Sequence, residues 1–453
     1  MRKHFPAELV VDILKRTQAL CSAEPTLVEI TPSPTETVTV VGDTHGQFHD
    51  VMRMLEVAGP PSDERLYVVN GDMVDRGSWG LETLLTFCLH KLARDVAVKV
   101  AVGKGSTMLD SAHRSVIKTP EAERRSGFPG VTLLRGNHET ATCSIMYGFR
   151  QEVEAKYGKT AGKTVFSACK QLFKNLPLAA LVNKRTLVLH GGLFRTRRGK
   201  KRAPKGKAKA KGKGKKSSSY EDDEEFVLDE DDDPVLGSIN DLRKGSKGGL
   251  DATGLGDSRL AADVLWSDPA PDGQPGFEEN YARGIGMVFG SDITEEFLRK
   301  NDLKLIIRSH EGPDARESRP DMPNMLEGWT EDHSTASGKL MTVFSAPDYP
   351  QHLPDDVDRF KNKAAVFVLS SEGGFAVPEV KQWEAVLPRP ESSPYYDLGV
   401  PDSDEEIELL PPTASGMTDL SDEGEFEVGL GSPVPFVPFT GRGYRLGTGD
   451  SDQ

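Results

Sequence analysis

An α/β fold is predicted by three features of this chain. Short runs rich in Val, Leu and Ile recur at 38–41, 66–69, 131–134, 186–189, 304–307, 340–344 and 365–369, with the length and branching of buried strands. Longer segments with helical periodicity, such as 81–92 and 163–175, lie between them, and such alternation marks an α/β architecture. The first five runs each lead into a polar motif: GDTHG (42–46), GDMVDRG (71–77), GNHE (136–139), HGG (190–192) and RSHE (308–311). The sixth leads into SAPDY (345–349). Ligands gather at the carboxyl ends of strands in open α/β sheets, so these motifs point to one site.

Composition sets the outer limits. The 453 residues are 37% hydrophobic and 28% charged, ample for one large domain or two smaller ones. A net charge of −14 argues against general nucleic-acid binding, where a basic surface supplies the affinity. Cys21, Cys88, Cys143 and Cys169 are scattered without a CxxC pair, which suggests neither a disulfide framework nor a zinc ribbon. A reducing compartment, nucleus or cytoplasm, is expected. No apolar run approaches the roughly 18 residues of a membrane span.

The elements follow in order. Leu9, Val10, Ile13, Leu14 and Leu20 keep a helical period after Pro6, which predicts an amphipathic helix on the folded body. Glu8, Asp12 and Lys15 interrupt it, so it is not a secretory signal. Strands then alternate with motifs and helices as described. Residues 93–127 carry Gly, Ser, Lys and Arg with little period and read as an insertion. Residues 195–249 join a Lys/Gly/Ala stretch to an acidic one; neither buries an apolar face, so disorder is predicted. Residues 399–453 form an acidic, Pro/Gly/Ser-rich tail, predicted flexible. The expected body is therefore 1–398, interrupted at 93–127 and 195–249, followed by the tail.

The motifs supply ligands for two metal ions about 4 Å apart, a pair that activates water and neutralises phosphoryl oxygens. Asp43, His45 and Asp72 would hold one metal. Asn137, His190 and His310 would hold the other, with Asp72 bridging as a carboxylate must. The mixed N/O set suits Mn, Fe or Zn better than Ca or Mg. His138, beside Asn137, is the candidate general acid, with Asp75 as its orienting carboxylate. Arg76 would clamp phosphate oxygens. The chemistry is hydrolysis of phosphate esters by in-line attack of a hydroxide shared between the metals. Each motif alone has a plainer reading: GDTHG as a turn, Asn137–His138 as a satisfied pair, Arg76 as a surface ion pair. Five motifs in one chain, each after a strand, favour the metal site. His113, His333 and His352 fall in predicted loops and are left outside it.

These residues resemble the phosphoprotein phosphatase family of serine/threonine phosphatases. GDTHG, GDMVDRG, LLRGNHE, HGG, LWSDP (265–269), RGIGMVFG (283–290), RSHE and FSAPDY (344–349) stand in that family's order across roughly 5–194 and 260–395. The resemblance implies a central β-sandwich of mixed sheets flanked by helices, the calcineurin-like metallophosphoesterase fold. It also implies that Arg283 is a further phosphate-contacting arginine and Tyr349 an active-site tyrosine. Asp348 and Pro350 depart from the family pattern, where Asn and Cys are common. RSHEGPDAR (308–316), SGKLMTVFSAPDYPQ (337–351) and LPRPESSPYYD (387–397) resemble the plant-type protein phosphatase 7 branch. That branch implies a nuclear protein that binds calmodulin through the insertion after HGG.

Phosphoprotein substrates are therefore expected, with no nucleic-acid or membrane partner. The basic run 195–216 reads as a nuclear signal, a strip for acidic phosphoproteins or a solvated linker. Its Gly and Ala spacing lacks the apolar anchors of a calmodulin target. A nucleotide or diadenosine polyphosphate hydrolase is the alternative with the same chemistry. An inactive scaffold of the same fold is the alternative from another class.

Overall fold

All seven predicted strands form in the computed structural model, which describes residues 4–101, 130–196, 234–351, 359–393 and 395. They are β2 (Thr37–Val41), β3 (Arg65–Val69), β4 (Val131–Leu133), β6 (Thr186–Leu189), β10 (Leu305–Arg308), β12 (Lys339–Val343) and β13 (Ala364–Leu369). Short strands join them: β1 (Leu27–Ile30), β5 (Ala179–Val182), β7 (Asp268–Pro269), β8 (Phe277–Glu279), β9 (Met287–Phe289), β11 (Trp329–Ser334) and β14 (Glu379–Trp383). One sheet has the order β1-β5-β6-β10-β12-β11 and another β14-β13-β2-β3-β4, with a small β7-β9-β8 sheet apart from them. Within the first, β6, β10 and β12 run parallel; within the second, β2, β3 and β4 do. β11, β13 and β14 pair antiparallel with their neighbours, so both large sheets are mixed.

The two large sheets face each other across a shared core. Val38 and Val40 of β2, Leu66 and Val68 of β3, Val188 of β6, Ile307 of β10 and Phe367 of β13 pack there together. The alternate residues Val41, Tyr67 and Val69 join a second core on the outer face, with Val10, Ile13 and Leu14. Burial on both faces makes each strand an unbroken apolar run rather than an alternating one. Each fully buried Val or Leu contributes about 1.5–3 kcal/mol relative to exposure, so this pattern dominates the choice of register. β11 and β14 lie at sheet edges, and WTEDHS and EVKQW are polar enough that no apolar run announces them.

Helices cover the outer faces. α1 (Ala7–Ala23) packs against α3 (Gly80–Ala101) and α5 (Phe149–Phe173). Val10, Ile13 and Leu14 are buried as their spacing predicts, while Leu9 is exposed. Gly158 breaks α5 with φ 75°, so the predicted helix 163–175 is its second half. Other helices start directly after the motifs: α2 (Phe48–Ala58) after GDTHG and α4 (Ala141–Met146) after GNHE. On the other sheet's outer face, α6 (Ile239–Lys244), α7 (Arg259–Trp266) and α8 (Ser291–Asn301) bury Leu242, Leu265 and Phe297 against Leu187 and Leu189. α9 (Pro313–Glu317) follows RSHE.

Three expectations are corrected. Residues 93–101 belong to α3 rather than to an irregular insertion; 102–129 lie outside the described residues. The span 195–249 is not disordered throughout. Arg195 bridges Leu236, and α6 starts at a capping box of Ser238 and Asp241. The Lys247 ammonium donates to the carbonyls of Cys21, Glu24 and Asn175 at 2.7, 2.8 and 2.8 Å. These carbonyls lie near the ends of α1 and α5, whose ladders leave such groups unpaired. His333 lies in β11, not a loop, and bonds Thr294 Oγ1 and Ala270 O at 2.8 Å each. The basic run from 197 on, with its nuclear and calmodulin readings, lies outside the described residues, as do His113, His352 and the tail from 399. The described residues belong to one compact unit.

Candidate metal centre

Six motifs end up together because the strands that carry them share one direction at one end of the sandwich. A parallel bridge between Asp43 and Phe344 joins the carboxyl ends of β2 and β12, one from each large sheet. Gly42 N donates to Ser345 Oγ at 2.9 Å and fastens the same junction. The GDMVDRG and GNHE loops meet backbone to backbone. A Cβ on Gly136 would lie 2.1 Å from Asp72 Oδ1, and one on Gly71, at φ 87°, would lie 2.4 Å from Gly136 N. Only glycine permits that approach.

Asp72 is the hub. Its Oδ1 lies 3.4 Å from His190 Nε2, and its Oδ2 lies 3.8 Å from His45 Nε2 and 3.9 Å from His138 Nε2. Asn137 Oδ1 lies 2.8 Å from His190 Nε2 and 3.0 Å from His310 Nδ1. Asp43 Oδ1 is 3.8 Å from His190 Nδ1, and Asp43 Oδ2 accepts from His310 N at 3.0 Å. All six predicted ligands are thus gathered, and each is buried. Among the described residues, two groups have metal-ligand spacing: His45, Asp72 and His138, and Asp72, His190 and His310.

The donor set fits a metal pair. Asp43 Oδ1 is buried and accepts no hydrogen bond, an arrangement that normally costs about 1–3 kcal/mol and that a cation would relieve. His190 Nδ1 donates to Asn70 O at 2.8 Å, and His45 Nδ1 lies 3.3 Å from Val74 O. Each ring therefore turns its Nε2 towards Asp72, as outer hydrogen bonds do for metal-binding histidines.

Electrostatics agree. Burial pushes the Asp43 carboxyl well above its usual range, and the nearby Asp72 carboxylate adds to the push. Burial acts against Asp72 as well, but His190, His138 and His45 outweigh it and hold Asp72 below the carboxylate range. Burial would lower His190, yet the Asp72 carboxylate prevails and raises it to about 9. A ligating imidazole must be neutral, so below about pH 9 a metal has to displace a proton here. Binding of Mn²⁺ at pH 7 is therefore expected to release close to one proton from His190. Apparent affinity should rise by at least about tenfold per pH unit below that value, more where the Asp43 carboxyl is also protonated. Calorimetric titration in two buffers of different ionisation enthalpy reads this directly, and identical heats would contradict it.

The other predicted residues sit close by. His138 Nδ1 is 2.8 Å from Asp75 Oδ2; burial raises Asp75 to about 6 against the opposing hydrogen bond from His138. Arg76 is buried, with its guanidinium 4.6 Å from the Tyr147 ring and Nη1 3.8 Å from Asp314 Oδ2. Arg283 pairs with Asp268, whose Oδ1 lies 4.0 Å from His310 Nε2. The Tyr349 ring centre is 5.5 Å from that of His45. His45, Asp72, Asp75, Arg76 and His310 all have positive φ, a conformation that non-glycine residues keep only under strong surrounding constraint.

Sequence reasoning missed the groups that impose that constraint. Glu139, buried within GNHE, accepts from Asp72 N, Met73 N and Gly136 N at 2.8, 2.8 and 2.9 Å and so clamps two ligand loops. Arg308 pairs with Asp268 and Glu311, and Glu311 with Arg316 and Arg319. The signal was the presence of Glu139, Asp268 and Arg308 inside motifs, but their partners are distant in sequence.

A calcineurin-like phosphoesterase family model matches residues 36–314. The chain is 42% identical over 372 residues to serine/threonine-protein phosphatase 7 of Arabidopsis thaliana, covering 82% of this chain and 78% of that protein. It is 32% identical over 393 residues to serine/threonine-protein phosphatase 5 of Homo sapiens, covering 87% of this chain and 57% of that one. Among solved structures, a protein serine/threonine phosphatase from Saccharomyces cerevisiae superposes with a TM-score of 0.59 at 26% identity, covering 87% of this chain and 95% of that one.

Proposed function

The chain belongs to the calcineurin-like phosphoesterase family and, within it, to the serine/threonine protein phosphatases, and from that premise we propose how its residues divide the work. It is a metal-dependent hydrolase of phosphoserine and phosphothreonine esters in proteins. Asp43, His45 and Asp72 would hold one metal, and Asn137, His190 and His310 the other. The observation that carries this reading is that Asp72 turns one oxygen to His190 and the other to His45. When bound, such a pair supplies water deprotonated near neutral pH and neutralises charge on the phosphoryl oxygens. The mixed N/O donors favour Mn, Fe or Zn.

The chain's own groups do the rest. Asp75 accepts from Nδ1 of His138, which fixes the ring and favours its charged form. Nε2 is then the proton source for the departing serine or threonine oxygen. Arg76 and Arg283 orient phosphate oxygens, each held from behind, Arg76 by Asp314 and Tyr147 and Arg283 by Asp268. Tyr349 stands beside His45 as a further phosphate-facing group.

The test is hydrolysis of a phosphothreonine peptide by the full chain, stripped with chelator and then given Mn²⁺. Phosphate release that appears only with metal, and that exceeds release from a dinucleotide polyphosphate, supports the assignment. Preference for the nucleotide would overturn the substrate class. A nuclear or cytoplasmic location is part of the same reading, supported by four buried free cysteines and the cationic run 195–216. A reporter fused to 195–216 that stays diffuse would count against nuclear entry through that run.

A further inference from the structure

Residues 386–393 cross the two loops that carry Arg76 and Tyr349. Val386 N donates to Asp50 Oδ1, and Arg389 Nη1 to Asp50 Oδ2, both at 2.8 Å. The same guanidinium reaches Pro347 O with Nη2 at 3.3 Å and places Nε 3.3 Å from Asp348 Oδ2. Gln47 Nε2 closes the knot, donating to Asp50 Oδ2 at 2.9 Å and to Pro347 O at 2.8 Å. Further on, Ser392 Oγ donates to Gln351 O at 3.0 Å. Ser393 N donates to Ser78 Oγ at 2.9 Å, and that hydroxyl donates back to Ser393 O at 2.8 Å.

The Asp50 carboxylate is fully buried and the Arg389 side chain is only 7% exposed. A buried ion pair is a poor source of net stability, because desolvation offsets its attraction. What it fixes here is geometry. On one side it holds residues 347 and 348, directly before Tyr349. On the other, Ser393 holds Ser78, two residues after Arg76. Asp75, Arg76 and Asp348 stand at φ 68°, 64° and 46°, conformations that persist only where the surroundings over-determine them. Asp348 also pairs with Arg359 Nε at 3.0 Å. An asparagine there would give neither arginine a charge to pair with.

We propose that Arg389 is a positioning residue of the phosphatase reaction: the strap 386–393 clamps the Tyr349 loop onto the first turn of α2 and, through Ser393 and Ser78, steadies the Asp75–Arg76 turn, so that both loops meet the substrate phosphate in register. The inference rests on the reading of Arg76 and Tyr349 as phosphate-facing groups.

The experiment uses the full chain loaded with Mn²⁺, with kcat and KM measured on a phosphothreonine peptide and on p-nitrophenyl phosphate, and kcat expressed per bound metal pair. Arg389→Ala should lower kcat by about tenfold to a hundredfold, the size of effect a misplaced reacting group produces, with KM for the small substrate changing by less than about twofold. Metal content should stay unchanged. Arg389→Lys should recover part of the loss, since it keeps the charge on Asp50 but not the fork. Asp348→Asn should cost less in the Arg389→Ala background than alone, because the two residues act as one unit. A purely structural arginine would lower melting temperature and metal loading while leaving kcat per loaded site intact, and that result would overturn the proposal. Arg76→Ala and Tyr349→Phe are measured alongside. If neither lowers kcat, the reading beneath the proposal fails and takes the strap with it. If both do while Arg389→Ala does not, the strap alone is refuted.

Discussion

Replacing Asp72 with asparagine should lower turnover on a phosphothreonine peptide by roughly a thousandfold or more, since it removes the shared charge on which two-metal chemistry depends. The carboxylate has two oxygens facing different histidines, Oδ1 towards His190 at 3.4 Å and Oδ2 towards His45 at 3.8 Å. An amide keeps the shape but offers one oxygen, no charge and two N–H donors aimed at ring nitrogens. Metal content measured by atomic spectroscopy should fall below two per chain in parallel with activity. His190 should also lose the carboxylate that raises it to about 9, so proton release on any remaining metal binding should shrink. A variant that keeps two tightly bound metals and near-normal turnover would remove Asp72 from the bridge.

Replacing His138 with asparagine is expected to slow the phosphothreonine reaction by about 10²–10⁴, the usual worth of a general acid. The loss should depend on the leaving group. Threonine leaves as a strongly basic alkoxide and needs the proton, whereas p-nitrophenolate is stable without it. The variant should therefore lose far less on p-nitrophenyl phosphate. This contrast matters because His138 Nε2 lies 3.9 Å from Asp72 Oδ2 and groups with His45 and Asp72 at metal-ligand spacing. An acid leaves metal content unchanged when removed and gives a leaving-group-dependent defect. A ligand gives lost metal and an equal defect on both substrates. His138 Nδ1 lies 2.8 Å from Asp75, and that carboxylate stabilises the charged ring an acid needs. Asp75→Asn should then reproduce a weaker form of the same contrast.

Much of this was legible because strand and motif adjoin in sequence. Seven apolar runs mark the strands buried on both faces, and the polar residues just beyond them are the ones that meet. What was not legible falls into recognisable kinds. Edge strands such as β14 carry EVKQW and lack an apolar run. The segment 234–249 was judged by charge, yet Ile239 and Leu242 bury a face and Lys247 finds three carbonyls on α1 and the turn after α5. His333 looked isolated because its partners, Thr294 and Ala270, come from other elements.

By itself the sequence determined the local order of the fold and the chemical identity of the donors. Strand runs, the motif at each strand end and the mix of Asp, Asn and His are all properties of neighbouring residues, fixed by side-chain size, polarity and period. Only the tertiary structure decided which groups constrain those donors. Glu139 reaches back to Asp72 N, Asp268 gathers Arg283 and Arg308, and Arg389 reaches Asp50 from 339 residues away. The physical reason is that a hydrogen bond or ion pair depends on position within a few tenths of an ångström. That position comes from the packing of two whole sheets and their helices, which no local pattern of residues encodes.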